Sequence, residues 1–457
     1  MNIMWQFVRV MLVMGAASAA CHLEAAESEI TRFTRGGPDV TQPKSSTDNR
    51  KASYGLGYLV QVDSRKAALF CNLRIVEPGF GDYEDGGDVF VFDDLNNIAK
   101  GGPMPVTRIE KEKDGKTGEP RFILKFPPCP GFWPLGAKRP DGTAHPGAGK
   151  GFAFCQALSL IGTGEKLTGD MYKTLNRYVE VMRLAFNGRQ VSVVERRLIK
   201  PGQDWVTTNG WSVFSPGLQP AIPDGDDLLL ALTASSKKGG QQTGVCRFRF
   251  LEGQWRPVFF TPVIGEDETG IARSACEPSL ARRADGSFIF TARTFGKNSA
   301  SESIELWAAK EADGPWAQHL RADNERCQAP VSVHATTDGK IFILSNPPGI
   351  TSLDGKVKWA DRKRVQLALW QLAEGKAGFN PPRPRLVRDG PQEFGRFDGH
   401  RWVIDHPVSA VVQLGDRLWH CVVAYRVITS PAAKTPHHGC YVEEVITAQP
   451  ATPPWRF

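Results

Sequence analysis

Asp405 and His406 stand side by side in WVIDHPVSAVV, and an imidazole next to a carboxylate can move a proton near neutral pH. Against a sugar, such a pair serves as a general base that activates water, or as the base that takes a proton next to a uronate carboxylate. The sequence leaves both open, together with a purely structural histidine packed under the proline turn. Arginine clamps a carboxylate bidentately and keeps its charge, and Arg293, Arg364 and Arg401 are candidates for that clamp or for salt bridges at the surface. Breaking a glycosidic bond also needs a protonated acid at the leaving oxygen. Asp82 and Asp85 in GDYEDGGD can supply it, and both also read as turn residues.

Metal and cofactor chemistry finds no such pattern. No CxxC pair or His/Cys cluster has zinc spacing, and the adjacent His437 and His438 sit in a Pro/Gly-rich loop as solvated residues, so neither metal nor cofactor is expected. The formal charge of +7 over 457 residues is mild, with lysines and arginines scattered. That excludes a nucleic-acid footprint and suits an acidic glycan as partner.

The first residues, MNIMWQFVRVMLVMGAASAACHLEAAES, carry Arg9, then an apolar stretch too short to span a bilayer, then small residues. They read as a secretory signal over residues 1–25, cut between Ala19 and Ala26, which places the protein in the periplasm or outside the cell. Cys21 after Ser-Ala-Ala leaves lipid anchoring as a lesser alternative. Cleavage would leave eight cysteines, and an even number in an exported chain permits disulfides, with Cys129 to Cys155 the expected pair.

The elements that must position these residues are strands. DDLLLALTA, GSFIFTAR, GKIFILSN, RVQLALWQL and DRLWHCVVAYR are apolar runs bounded by Asp-Gly, Gly-Lys and Pro-Gly turns, and amphipathic helices are nearly absent. A turn ending in an aromatic residue recurs at Trp205, Trp255, Trp316 and Phe379, at spacings of 50, 61 and 63 residues. That period fits one four-stranded sheet, which cannot bury both faces alone and completes its core by radial stacking. With an opening unit around 54–95 and a closing one around 402–455 the reading is an all-β, six-bladed β-propeller over residues 26–457. The alternative is a pair of β-sandwiches. The stretch from about 105 to 185, with PPCPGFWPLGAKRPDGTAHPGAGKGF, reads as a long insertion.

Four segments are similar to the sialidase (neuraminidase) superfamily. EADGPW resembles a degenerate form of the Asp-box (BNR) turn, and CEPSLARRADGSFIFTART resembles the segment with a glutamate opening one strand and an arginine ending the next, here Glu277 and Arg293. SNPPGITSLDGKVKWADRKRVQLALW is similar to the strand pair that supplies another arginine, Arg364 or alternatively Arg362. SYGLGYLVQVDSRKAALFCNLRIVEPGFGDYEDGGDVFVFDD is similar to the first blade, with Arg74 ending its second strand and Asp82 or Asp85 in the acid-bearing loop.

The resemblance implies a divergent propeller hydrolase of sialic acid or another acidic sugar glycoside. In it Glu277 polarises the nucleophile and Arg293 and Arg364 hold the substrate carboxylate. Two positions depart from the family. Gly55-Leu56-Gly57 stands where the first carboxylate-binding arginine belongs, and His406 stands where the family has its nucleophilic tyrosine. With Glu277 nearby, His406 could activate water for an inverting attack. A uronate polysaccharide lyase and a non-catalytic carbohydrate-binding propeller remain the alternatives.

Overall fold

The computed structural model describes residues 52–75, 86–161, 176–200, 205–236, 240–265, 274–295, 303–325, 329–347, 364–373, 378–389, 402–429 and 438–446, apart from single positions at 114, 117, 119, 365, 381 and 383. The expected signal segment lies outside them. No helix among them is long and apolar enough to cross a membrane.

Six antiparallel sheets follow one another along the chain. The first pairs β1 (Ala52–Gln61), β2 (Ala67–Ile75), β3 (Gly86–Phe92) and β4 (Met104–Arg108). The second contains β5 (Glu110–Lys113), β6 (Pro120–Lys125), β7 (Cys129–Phe132), β8 (Lys150–Ile161), β9 (Asn176–Phe186) and β10 (Val191–Ile199). The third contains β11 (Ser212–Pro216), β12 (Ile222–Asp224), β13 (Asp227–Ser235), β14 (Gln241–Leu251) and β15 (Gln254–Gly265). The fourth pairs β16 (Ser274–Arg282), β17 (Phe288–Phe295), β18 (Ile304–Ala309) and β19 (Ala317–Ala322). The fifth pairs β20 (Ser332–Ala335), β21 (Ile341–Ser345), β22 (Gln366–Gln371) and β23 (Arg385–Asp389). The sixth pairs β24 (Trp402–Leu414), β25 (Arg417–Thr429) and β26 (His438–Ile446). β7 packs on β12, β13 on β16, β16 on β20 and β20 on β24, while β1 packs on both β7 and β24, so the ring closes as a six-bladed propeller.

The apolar runs show why the sheets must stack. All but the last residue of DLLLALTAS are buried, and its alternating side chains serve two neighbours. Leu228, Leu230 and Leu232 join the core shared with the second sheet, whereas Leu229 and Ala231 join the core shared with the fourth. β21 repeats the device, with Ile341 and Ile343 packed toward the fourth sheet and Phe342 and Leu344 toward the sixth. Each buried leucine or isoleucine contributes about 1.5–3 kcal/mol, so a sheet apolar on both faces is stable only between two others.

The recurring aromatic turns are equivalent in three of the four places. Trp255 is the second residue of β15, Trp316 immediately precedes β19 and Phe379 lies in the connection from β22 to β23, so each follows the third strand of its sheet. Trp205 does not; it lies in the link from the second sheet to the third, its ring 5.5 Å from Phe154 and 5.2 Å from Phe248. The stretch from about 105 to 185 occupies the place of a blade: it supplies β4 to the first sheet and β5 to β9 to the second. What is long within it is the connection from β7 to β8.

The expected bridge between Cys129 and Cys155 is not formed, and both thiols are free. Cys129 lies opposite Phe154, so Cys155 projects from the other face of its strand. One thiol donates to the Gln219 carbonyl at 3.1 Å, and the other faces Glu180 at 3.7 Å.

Candidate active site

The innermost strands of the fourth and sixth sheets carry the same irregularity. The pairing of β16 with β17 shifts between Cys276 and Ser279, and that of β24 with β25 shifts between Asp405 and Val408. Each bulge contains a residue followed by proline, which has no N–H for the ladder and is tolerated in a sheet at such places. The residues before these prolines, Glu277 and His406, have φ of 50° and 53°. Left-handed backbone costs a non-glycine residue about 1–2 kcal/mol, and such strain gathers at functional sites.

The bulges set the side-chain directions. In a regular strand Asp405 and His406 would point to opposite faces; here His406 Nδ1 meets Asp405 Oδ1 at 2.7 Å. Cys276 lies opposite Arg293 on β17, and the bulge swings Glu277 so that its Oε2 accepts from Arg293 Nη1 at 2.9 Å. Glu277 Oε1 faces His406 Nε2 at 3.3 Å, and Asp405 Oδ2 accepts from Arg364 Nη1 at 2.6 Å. One chain of alternating charge therefore runs Arg293, Glu277, His406, Asp405, Arg364, drawn from the fourth, fifth and sixth sheets.

Both imidazole nitrogens face carboxylate oxygens, and only the doubly protonated ring donates to both. With that proton the chain holds three cations and two anions, a net charge of +1. Burial works to raise the Glu277 pKa, but the hydrogen bond and charge of His406, with Arg293 on the other oxygen, outweigh it and hold the carboxyl well below the usual range. Glu277 is thus an anion at any working pH. Its side chain is 26% exposed while that of Asp405 is 0% exposed, so Glu277 is the carboxylate a ligand can reach.

Asn346, in the Ser-Asn-Pro segment, ties these pieces together. Its Nδ2 donates to the carbonyls of Gln366 and Ile404, at 2.5 and 2.6 Å, while the Ile404 N–H donates to the Arg364 carbonyl at 2.6 Å. The backbone carrying Arg364 is thereby fixed to the strand carrying Asp405 and His406. Asn346 is the supporting residue that the sequence did not single out. Its place in Ser-Asn-Pro, at the end of an apolar strand, was the available signal.

Of the remaining candidates, Arg74 lies in β2 with its side chain outside the described residues, and Asp82, Asp85, Arg362 and Arg401 lie outside them altogether. Gly57 has no room for the family's arginine: a Cβ there would come within 2.8 Å of both Cys440 Sγ and Leu69 Cδ1. Among the described residues no group of three or more His, Cys, Asp or Glu is placed to hold a metal ion.

A belt of hydrogen bonds crosses the axis just below this site. Tyr58 Oη donates to the Gly217 carbonyl at 2.8 Å, Gln219 Nε2 donates to the Val333 carbonyl and Ser409 Oγ, both at 3.1 Å, and the Val333 N–H donates to Ser279 Oγ at 3.0 Å. Beyond the belt, at the other end of the innermost strands, a cavity of about 640 Å³ opens between segments of all six sheets.

No protein-family model matches the chain, and no curated protein matches it significantly. Among solved structures it is similar to a protein of unknown function from Dyadobacter fermentans, at 12% identity over 87% of this chain and 96% of that one, with a TM-score of 0.49. It is also similar to a Hadza microbial sialidase, at 14% identity over 85% of this chain and 65% of that one, with a TM-score of 0.46. An α-L-arabinofuranosidase of Fusarium graminearum is similar at 10% identity over 91% of this chain and 98% of that one, with a TM-score of 0.45.

Proposed function

We propose that this chain is an exported glycoside hydrolase acting on acidic sugar glycosides, with glycosides of sialic acid the first substrates to try. The observation that carries the reading is the alternating ionic chain centred on Glu277, built on two strained bulges at the propeller axis. Glycoside cleavage passes through an oxocarbenium-like transition state, and an ionised carboxylate opposite the anomeric carbon stabilises it or attacks it. Glu277, held as an anion by His406 and Arg293, suits that role and not the role of acid. The proton for the leaving oxygen is assigned to Asp82 or Asp85.

His406 takes the place of the family's tyrosine without taking over its attack. Its Nε2 proton is engaged by Glu277 and its Nδ1 proton by Asp405, so the ring serves to hold and orient Glu277. A lyase base would need a neutral imidazole, which a ring between two carboxylates disfavours. The net positive charge of the chain suits the carboxylate of an acidic sugar, with Arg293 and Arg364 as its partners.

The test is to assay the purified protein against aryl glycosides of sialic acid, glucuronic acid and arabinose, and against uronate polymers. Release of aglycone from the acidic glycosides supports the reading. An unsaturated uronate product would make the protein a lyase, and binding without turnover would make it a carbohydrate-binding propeller. Mass spectrometry of the native protein should find a first residue between Ala19 and Ala26; an intact Met1 would count against export.

A further inference from the structure

Among the described residues the first sheet comes from the front of the chain and the sixth from its end, and the two meet where β1 packs on β24, β25 and β26. Non-covalent contacts hold this seam. Gln61 Nε2 donates to the Gln413 carbonyl and the Gln413 N–H donates back to Gln61 Oε1, both at 2.8 Å, and Arg65 pairs with the exposed Asp416 at 3.0 Å. Beneath them one apolar cluster joins Leu59, Leu69 and Phe90 to Val412, Leu414 and Val442.

Two thiols lie inside that cluster. Cys71 on β2 and Cys440 on β26 are both free and fully buried. Gly57 pairs with Cys71 across the first sheet, and the missing side chain of that glycine leaves room for both sulfurs on one side of it: a Cβ there would lie 2.8 Å from Cys440 Sγ and 3.4 Å from Cys71 Sγ. Both sulfurs therefore border the same small space beside Gly57, within the apolar cluster of the seam. Cys129, Cys155 and Cys246 instead direct their thiols at a carbonyl or at Glu180.

We propose that Cys71 and Cys440 form a disulfide when the chain folds in an oxidising compartment, fastening the last blade to the first. The co-reactant is a small-molecule or protein disulfide. The thiolate of one cysteine attacks it, forming a mixed disulfide and releasing one thiol; the thiolate of the other attacks the mixed disulfide, forming the bond from Cys71 to Cys440 and releasing a second thiol. The protein gives up two protons and two electrons, and the co-reactant is reduced to two thiols. Burial is the main influence holding the Cys71 thiol un-ionised in the closed ring, so exchange belongs to folding, before the seam seals. In the cell the cross-link rests on the export reading; in the test tube it does not.

Full-length protein is refolded with oxidised and reduced glutathione, free thiols are alkylated, and the non-reduced digest is mapped by mass spectrometry. The expected result is one linked peptide pair containing Cys71 and Cys440, and a Tm roughly 5 °C above that of protein refolded under reductant. Protein folded reduced and only then exposed to oxidised glutathione should keep both thiols alkylatable. The Cys440→Ser variant should lose the gain in Tm, and Cys129→Ala should keep it. Alkylation of both cysteines in the oxidatively refolded wild type, or a link from either one to a different cysteine, would overturn the proposal. The mapping reads no activity, so it stands or falls apart from the hydrolase reading.

Discussion

The two mouths of the propeller axis share the strands β16 and β24 and differ in almost everything else. At the N-terminal ends of those strands two bulges hold Glu277 and His406 at positive φ, and five charged groups interlock. At the C-terminal ends the cavity of about 640 Å³ is walled by regular strand residues such as Leu59, Leu280 and Val333, with Arg282 and Arg283 as its charged lining. Room is what six stacked sheets leave at their axis whatever the sequence. Strained backbone and matched charge require particular residues, and it is at that mouth that the proposed hydrolysis is assigned. The hydrogen-bonded belt through Tyr58, Gln219 and Ser409 keeps the two apart.

The largest difference between the mouths should appear in turnover. Glu277→Gln is expected to lower the hydrolysis rate by about 10³-fold or more with the circular-dichroism spectrum unchanged, whereas Arg283→Ala should leave the rate within about twofold. Initial rates on whichever acidic aryl glycoside the wild type cleaves check both, and a Glu277→Gln enzyme at wild-type rate would erase the distinction.

Stability should divide the mouths next. Asp405 is wholly buried between His406 and Arg364, and Asp405→Asn leaves two cations without their shared anion. Urea denaturation should show a loss of about 3–5 kcal/mol, against about 0.5 kcal/mol or less for Thr337→Ala at the roomy mouth. A smaller effect is expected in the pH dependence. Because Glu277 titrates well below its ordinary value in the folded chain, its ionic contribution is complete above the unfolded-state value of about 4.3 and is lost as pH falls toward the folded one. The stability gap between wild type and Glu277→Gln should therefore be level between about pH 5 and the ordinary imidazole value of about 6.5, and narrow in more acid. Denaturation at several pH values checks this, and a gap that widens in acid would mean Glu277 is not held as an anion.

The six-sheet architecture was legible because alternating apolar runs and turn-aromatic spacing each report one sheet. The blade boundaries were less so. The aromatic period misplaced one unit at Trp205, since the second sheet is longer than its neighbours and keeps no aromatic residue in its outer turn, Asn187-Gly188-Arg189. The pairing of Asp405 with His406 could not follow from alternation, because it depends on a bulge that reverses one side chain. A further signal lay unused in the text of the chain. Glu277-Pro278 and His406-Pro407 both place a polar residue before proline in an apolar strand, and a proline there announces the bulge.

Calorimetric titration of free sialic acid and of glucuronate into wild type, Arg293→Ala and Arg283→Ala tests most directly which mouth receives the sugar. The expected result is binding that weakens by about 30-fold or more in Arg293→Ala, the loss of roughly 2 kcal/mol that follows removal of one partner of a desolvated charge pair, and that is unchanged in Arg283→Ala. Binding lost in Arg283→Ala and kept in Arg293→Ala, or neither sugar bound by the wild type, would contradict it.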